Sequence, residues 1–441
     1  MSSVFYRTAK KHYPLAVRAE GMYIYDQDNK PYLDMSGGAA VSCLGHQHEK
    51  VVTVLCGQIK QMSFAHTAFF SNQPQEELAE RLAEKFSQDD AKVYFTSGGS
   101  EANETAIKMA WQYWRTKGLI SKQKIISRVH SYHGNTLATL SASGNLPRRR
   151  VMGDLLLEWP RIDPCYAYRY QANKESLQEY GLRSANLLES MILQEGAENI
   201  AAFIAEPVVG ASLGVVPAAP GYFTRIRQIC DQYDILLIAD EIMCGTGRTG
   251  TFFAHQQEGF VPDIVTLAKG LAGGYQPLAA TIASSQVHQV LQDSNTGFSH
   301  GHTYVGHASA CAAGLAVLNV IDEERLLEKV MQQGDNLQLA LQKNFGHMDY
   351  IGDIRGRGLF RGIEIVADKA SKKPFADERK ITANLHKLTM KHGLICYPGG
   401  GSEIDGLGSH ILLAPPFIIE DQHIELLIKK LTAIFTELFD G

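Results

Sequence analysis

The feature that most constrains the fold is a series of short apolar runs between residues 90 and 285. Loops and helix-like segments separate these runs. The runs are KVYF (92–95), KIIS (124–127), IAAFIA (200–205), ILLIA (235–239), DIVTLA (263–268) and LAATIA (278–283). Short, continuously apolar runs of this kind are typical of strands in parallel sheets that helices cover on both faces. The sequence therefore predicts an α/β fold with a mostly parallel central sheet flanked by helices.

The C-terminal third has a different pattern. A charged, helix-rich stretch near 323–345 is followed by GLFRGIEIV, HILLAPPFII and a final helix. The apolar stripe of that helix consists of Ile424, Leu427, Leu431, Ile434, Phe435 and Leu438. We expect a large domain over 61–324 and a smaller α+β domain over 325–441, to which the segment 1–60 contributes.

Composition narrows the function classes. The net charge is −5, whereas proteins that bind nucleic acid need a concentrated basic surface. The seven scattered cysteines indicate neither a disulfide framework nor a metal site. No segment supplies the roughly 18 apolar residues that a membrane span needs. We expect a cytoplasmic enzyme that binds neither nucleic acid nor membrane.

A glycine motif follows one of the runs. LLIADEIMCGTGRTG contains G-x-G-x-x-G at Gly245, Gly247 and Gly250. A dinucleotide-binding fingerprint needs a helix directly after the motif, but TFFAHQQEGFVPD has no helical stripe. The motif therefore favours a glycine-rich loop, and a nicotinamide-dependent dehydrogenase remains a remote alternative.

Three run ends carry groups of complementary chemistry. Asp240 ends one run, Lys269 follows another, and Gly98, Gly99 and Ser100 lie where KVYF gives way to a helix. The carboxyl ends of parallel strands form the usual ligand site of such sheets. A helix N-terminus binds phosphate, and an amine and a carboxylate complete the needs of pyridoxal 5′-phosphate.

At this point the sequence resembles the class III, fold type I, pyridoxal-phosphate-dependent aminotransferases. The resemblance extends over nearly the whole chain. Its most specific parts, in order, are SGGSEANETAIKMA, YHGNT, AEPV, ADEIMCGTGRTG and TLAKGLAGG. The resemblance implies that Lys269 forms the aldimine with the cofactor and shuttles a proton. It also implies that Asp240 pairs with the pyridine nitrogen and that Gly99 and Ser100 hold the phosphate.

Further residues of the cofactor site follow from the same resemblance. Tyr132 would stack on the ring, Ile242 would cover its opposite face, and Glu206 would lie near the cofactor. His133 also belongs to this site, where we expect a satisfied polar residue and not a catalytic base. Thr303 would reach the phosphate of a partner subunit, so the resemblance implies a homodimer with active sites at the interface.

The resemblance further implies a transaminase that moves an amino group from an amine or ω-amino acid to a 2-oxo acid such as pyruvate. Decarboxylating aminotransferases and aminomutases on the same fold remain alternatives, because the motifs do not encode which bond breaks. A non-catalytic relative would be expected to lose the lysine, and Lys269 is present.

Two departures from the family pattern concern the substrate. Tyr397 stands where many relatives carry an arginine that binds the substrate carboxylate, and a glycine-rich loop over 399–408 follows. The run 148–150 contains three arginines, for which we expect a solvated surface. GGAAVSC, near residues 37–43, stands where some relatives have a bulky aromatic at the pocket wall, so the small Ala39 and Ala40 predict room for a larger amine.

Overall fold

The large sheet forms the centre of the molecule. A computed structural model describes residues 3–8, 13–86, 88, 90–294, 297–401 and 407–440. Seven strands form this sheet among those residues. In spatial order they are Lys92–Thr96, Ala279–Ala283, Ile264–Leu267, Leu236–Asp240, Ile200–Ala205, Lys124–Arg128 and Arg161–Ile162. All six predicted runs form strands of this sheet, and every residue of Ile200–Ala205 is buried.

The strand directions confirm the predicted parallel sheet. Ala279–Ala283 runs antiparallel to both of its neighbours, whereas the other strands share one direction. The carboxyl ends of Lys92–Thr96, Leu236–Asp240 and Ile264–Leu267 therefore lie along one edge. The residues that follow these strands meet at this edge.

Helices cover both faces of the large sheet. Gly99–Thr116 buries the face that includes Ala106, Met109, Ala110 and Tyr113, as the spacing predicts. Ala308–Glu323 is apolar on nearly every face, as a helix inside a core must be. The other helices before residue 308 are Gly37–Ala40, Glu49–Gln61, Gln73–Phe86, Leu137–Ala142, Leu146–Met152, Ala167–Tyr170, Leu177–Glu195, Tyr222–Gln232 and Ser285–Gln292.

The C-terminal third contains the second, smaller sheet. Its strands in order are Ile351–Arg357, Phe360–Ile365, Ser409–Leu413 and Tyr397–Gly400, and all neighbours are antiparallel. Its helices are Leu326–Phe345, Ile381–Lys391 and Asp421–Phe435. The final helix buries Ile424, Leu427, Leu431, Ile434 and Phe435, which are five members of the predicted stripe.

The N-terminal segment joins the C-terminal third through a third sheet. Ala16–Glu20, Tyr23–Asp26 and Pro31–Asp34 pair in sequence, and Pro31–Asp34 pairs in parallel with Leu394–Ile395. Glu49–Gln61 instead packs on Ala308–Glu323. We propose the division into 61–324 and 325–441 on this basis, with the strands up to Asp34 as the part of 1–60 that joins the smaller domain.

Short elements complete the described chain. A two-stranded ribbon pairs Val208–Val209 with Val216–Pro217. Single-turn or π-type helices span Gly153–Leu155, Ala197–Asn199, Ala254–Glu258, Lys269–Ala272, Asp377–Arg379 and Thr436–Asp440. Across the described residues, every helix is too short or too polar to span a bilayer.

Candidate active site

A cavity of about 850 Å³ lies where the carboxyl ends of the parallel strands meet. This volume is in the usual range for a site that encloses a small molecule. The structure brings nine of the predicted site residues to its wall: Gly99, Ser100, Tyr132, His133, Glu206, Asp240, Ile242, Lys269 and Tyr397. Ala40 and Thr303 are not among the lining residues.

Lys269 lies two residues beyond the end of the strand Ile264–Leu267, with Ala268 between them. Its backbone adopts φ = 50°, which is uncommon for a residue with a side chain and is often found at functional sites. Burial lowers the pKa of its amine to about 8, although the nearby charge of Asp240 opposes that shift. A larger fraction of this amine is therefore neutral near neutral pH than is usual for lysine.

Asp240 ends the neighbouring strand, and three donors hold its buried carboxylate. Oδ2 accepts hydrogen bonds from Nδ2 of Asn103 at 2.7 Å and from Nδ1 of His133 at 2.8 Å. Oδ1 accepts a 3.1 Å bond from the backbone N–H of Ile242. His133 thus serves as an orienting partner of the carboxylate through Nδ1, whereas its buried Nε2 has no hydrogen-bond partner among the described residues, so the expectation of a satisfied polar residue is met at one ring nitrogen only.

The sequence analysis missed Asn103, which organises this network. Its Nδ2 also donates to the carbonyl of His133 at 2.7 Å, and its Oδ1 accepts from the Thr266 hydroxyl at 2.7 Å. The available signal was an amide on the buried face of Gly99–Thr116, one turn from the glycines. Because buried amides require partners, this position could have been flagged.

The glycine segment at the start of Gly99–Thr116 forms a narrow wall of the cavity. Gly98 is the N-cap, and a Cβ at this position would meet open space. A Cβ at Gly99 would lie 2.9 Å from Cδ1 of Ile242, so the Ile242 side chain would have to shift to admit a larger residue. The first N–H groups of a long helix have no partners within the helix and attract anions.

Tyr132 is fixed by the carboxylate of Glu206. The Tyr132 backbone N–H donates to Glu206 Oε1 at 3.1 Å. The other oxygen of Glu206 lies 3.0 Å from Nη2 of Arg128, whose side chain is fully buried. Burial raises the pKa of the Tyr132 hydroxyl. The sequence analysis did not identify Arg128, which pairs with Glu206 and holds the loop after Lys124–Arg128.

The structure separates Ala40 from its neighbour Ala39. Ala40 has φ = 62° and is buried in an apolar cluster with Val208 and Val215. Ala39 lines the cavity instead. Of the two expected alanines, Ala39 therefore lies at the pocket wall, whereas Ala40 does not, because its left-handed backbone turns its side chain into the core.

Tyr397 begins the edge strand of the smaller sheet and lines the cavity. Gly399 and Gly400 belong to the same strand. Residues 402–406 of the predicted glycine-rich loop lie outside the described residues. Thr303 is exposed. Its role toward the phosphate of a partner subunit stays a prediction.

The three arginines at 148–150 occupy different environments. Arg148 is exposed but lines the cavity, and its Nη1 donates to the Tyr132 hydroxyl at 3.1 Å. The Arg149 side chain donates to the carbonyls of Leu140, Ser141 and Ser143. Arg150 is exposed and does not line the cavity, so it fits the expectation of a solvated surface residue.

The glycine motif does not begin a helix, which removes the dehydrogenase alternative. Residues 244–249 form turns and are buried. A Cβ at Gly247 would lie 2.5 Å from Leu327, and one at Gly250 would lie 2.0 Å from Met331. The loop packs against the helix Leu326–Phe345, so its backbone is not available to a pyrophosphate.

Comparisons with known proteins match nearly the whole chain. The family model described as aminotransferase class-III matches residues 5–435. An uncharacterized aminotransferase of Schizosaccharomyces pombe is 40% identical over 435 residues, which span 98% of this chain and 95% of the relative.

Two solved structures extend the comparison to the fold. An (S)-enantioselective omega-transaminase of Thermomicrobium roseum is 37% identical, with a TM-score of 0.90 over 98% of this chain and 94% of that chain. An omega-transaminase of Pseudomonas jessenii in complex with PMP is 34% identical, with a TM-score of 0.91 over 97% of this chain and 93% of that chain.

Proposed function

The chain belongs to the class III aminotransferase family, and from this membership we propose that it transfers an amino group from an amine or ω-amino acid to a 2-oxo acid, with pyruvate as acceptor. One observation carries the proposal. Asp240 is the last residue of one strand, and Lys269 lies just beyond the parallel strand that pairs with it, in which Thr266 is in register with Asp240. Both residues line one cavity. An amine and a carboxylate are thus held together at the edge where such sheets bind ligands.

The residues present fit pyridoxal 5′-phosphate. This cofactor has an aldehyde, a pyridine nitrogen and a phosphate, and the cavity offers Lys269, Asp240 and the helix N-terminus at Gly99 and Ser100 respectively. The absence of a Cβ at Gly99 keeps room beside Ile242. When bound, the cofactor supplies a carbonyl carbon that takes up the amino group and a ring that withdraws electrons from the substrate carbon.

The residues of this chain have distinct roles in the proposed reaction. Lys269 would hold the aldehyde of the cofactor covalently, and, once the substrate amine has displaced it, its freed Nζ would carry a proton to and from the substrate carbon. A pKa of about 8 supports both tasks, because the amine exchanges protons readily near neutral pH. Asp240 supplies a fixed negative charge to the ring nitrogen, and preorganised charge of this kind stabilises charge that develops during reaction.

The remaining roles concern orientation. Tyr132 and Ile242 flank the ring in the proposed complex, and Glu206 holds the backbone of Tyr132. His133 orients Asp240 through its Nδ1, and we assign the proton transfer to Lys269 and not to His133.

An absorption experiment tests the proposal. Purified protein with pyridoxal phosphate is expected to develop a visible band of the lysine-bound cofactor. A panel of amines should bleach this band, and pyruvate should restore it. Lys269→Ala is expected to lose the band before amine is added, whereas the exposed control Lys343→Ala should keep it. A wild-type protein with no band would refute the cofactor assignment.

Product analysis in the same experiment separates the related reactions. Alanine formed in proportion to the amine consumed supports transamination with pyruvate as acceptor. Release of carbon dioxide with each turnover would instead indicate a decarboxylating aminotransferase. Movement of the amino group within one substrate, without an acceptor, would indicate an aminomutase.

We propose a homodimer in which Thr303 of one subunit completes the phosphate site of the other. Thr303 is exposed and does not line the cavity of its own chain, which supports this arrangement. A mixture of Lys269→Ala and Thr303→Glu subunits tests it. A mixed dimer would carry both defects in one site and none in the other, so mixing should recover activity that each variant lacks. No recovery in mixed dimers, isolated by two affinity tags, would refute the arrangement.

A further inference from the structure

Arg148 projects a cationic side chain into the wall of the cavity. It lies in the first turn of the helix Leu146–Met152, where the side chain of Asn145 caps the helix by accepting its backbone N–H at 3.3 Å. Its guanidinium carbon lies 4.8 Å from the ring centroid of Tyr132. Its Nη1 donates to the Tyr132 hydroxyl at 3.1 Å and to Oδ1 of Asn135 at 2.8 Å.

The partners of Arg148 are neutral. Among the described residues its guanidinium forms no ion pair with a carboxylate, and both hydrogen bonds use Nη1. Nε and Nη2 therefore have no protein acceptor within that part of the chain. These two nitrogens form one edge of the guanidinium, which can donate two parallel hydrogen bonds to a carboxylate.

The buried Arg128, next to the site, is already paired with Glu206. Arg7 also lines the cavity and adds a second positive charge at the wall. The charge of Arg148 is thus not neutralised by a carboxylate of the described chain, and an anionic ligand would supply the missing partner.

Tyr397 lines the same cavity, at the position where the family pattern has an arginine. A phenol cannot form the two parallel charge-assisted bonds that a guanidinium forms with a carboxylate. Tyr132 also lines this cavity, and its hydroxyl contacts Arg148.

We propose that Arg148 is the residue that binds the carboxylate of the substrate. This inference rests on the proposed function and assigns its substrate class: 2-oxo acids and amino donors that carry a carboxylate. The guanidinium keeps its bonds from Nη1 to Tyr132 and Asn135 and grips the carboxylate through Nε and Nη2. The ring that flanks the cofactor and the group that binds the substrate are thereby held in one arrangement.

Matched substrates test the proposal on the enzyme loaded with pyridoxal phosphate. The donors are 4-aminobutanoate and butylamine, and the acceptors are pyruvate and acetone; in each pair a methyl group replaces the carboxylate. The variants are Arg148→Ala, Arg148→Lys and the control Arg150→Ala. Calorimetric titration with propanoate, which cannot react, measures carboxylate binding without turnover.

Arg148→Ala is expected to weaken propanoate binding about 10- to 100-fold, as the loss of a bidentate charged contact does. Its kcat/KM should fall about tenfold more for the carboxylate member of a pair than for its partner. The donor and acceptor pairs reveal which substrate uses the site. Arg148→Lys should lie between wild type and Arg148→Ala, and Arg150→Ala should match wild type.

Three outcomes would overturn the proposal. Wild-type protein that does not bind propanoate would refute a carboxylate site even if it is a transaminase. Equal losses for both members of each pair, with weaker pyridoxal phosphate binding, would mean that Arg148 only positions Tyr132. Equal losses in Arg150→Ala would indicate a general charge effect. Because the titration needs no turnover, failure of the proposed function leaves this result readable.

Discussion

Nδ1 of His133 lies 2.8 Å from Oδ2 of Asp240, and Nδ2 of Asn103 lies 2.7 Å from the same oxygen. Both donors are inaccessible to solvent or nearly so, and water therefore cannot replace either one. The direction of the Asp240 charge thus depends on two side chains that come from different parts of the chain. Removing one of them tests how far the carboxylate depends on this support.

Asn103→Ala is expected to lower the free energy of unfolding by about 1–3 kcal/mol, because buried acceptors and donors lose their partner. We expect kcat to fall about tenfold, since the charge of Asp240 is then less well oriented. Chemical denaturation and steady-state kinetics measure the two effects. The exposed Asn186→Ala serves as control, and a normal kcat in Asn103→Ala would contradict the orienting role.

The pKa of Lys269 makes the capture of cofactor depend on pH. The neutral amine is the reactive form, and burial lowers its pKa to about 8. Modification of Lys269 in the apoenzyme should therefore rise with pH and level off above about 8. Asp240 favours the protonated amine, so Asp240→Asn should shift the midpoint to lower pH.

Competitive acylation followed by peptide mass spectrometry gives the rate at Lys269 at each pH. A midpoint near 10.5, the ordinary value for lysine, would contradict the effect of burial. A shift to higher pH in Asp240→Asn would contradict the sign of the interaction between the two residues.

The parallel sheet was predictable because its strands are buried on both faces and appear as short apolar runs. The positions of Asp240 and Lys269 follow from the same signal, since both residues end or follow such runs. Arg128 and Arg148 were not predictable as site residues, and the sequence could flag Asn103 only as a buried amide whose partners were unknown. Their roles depend on hydrogen bonds to residues distant in sequence or on the shape of the cavity, and a pattern of apolar residues carries neither.

The different positions of Ala39, at the cavity wall, and Ala40, in the core, have a local physical cause. Alternation along an extended segment would not distinguish which of two alanines faces the cavity. The φ of 62° at Ala40 reverses the local direction of the chain and directs that side chain toward Val208 and Val215. Left-handed conformations at alanine have no composition signal, so the sequence alone could not supply this detail.

Gly99→Ala should weaken cofactor binding. The new Cβ would lie 2.9 Å from Cδ1 and 3.0 Å from Cγ2 of Ile242, so the two segments must move apart. Overpacking of this kind costs about 1–3 kcal/mol, and we expect at least about a tenfold higher Kd for pyridoxal phosphate. Equilibrium dialysis measures the Kd, and thermal unfolding of the apoenzyme reports the strain separately.

Two further variants serve as controls for Gly99→Ala. Gly57→Ala lies in a helix where a Cβ meets open space, and it should leave cofactor binding unchanged. Gly99→Ala combined with Ile242→Ala removes the clashing atoms and should recover part of the stability. If the double variant is as unstable as Gly99→Ala alone, contact with Ile242 is not the cause.

Ala39→Trp is expected to discriminate between amine donors by size. Ala39 lines the cavity, and an indole there would occupy space that a bulky amine needs. We expect kcat/KM for a bulky arylalkyl amine to fall about tenfold more than for propylamine, because a filled pocket excludes only the larger donor.

Ala40→Trp should behave differently: its side chain would enter a buried cluster, and overpacking should lower stability with no size preference. Initial rates across a donor series, with thermal unfolding of both variants, separate these results, and equal losses for all donors in Ala39→Trp would refute its place at the pocket wall.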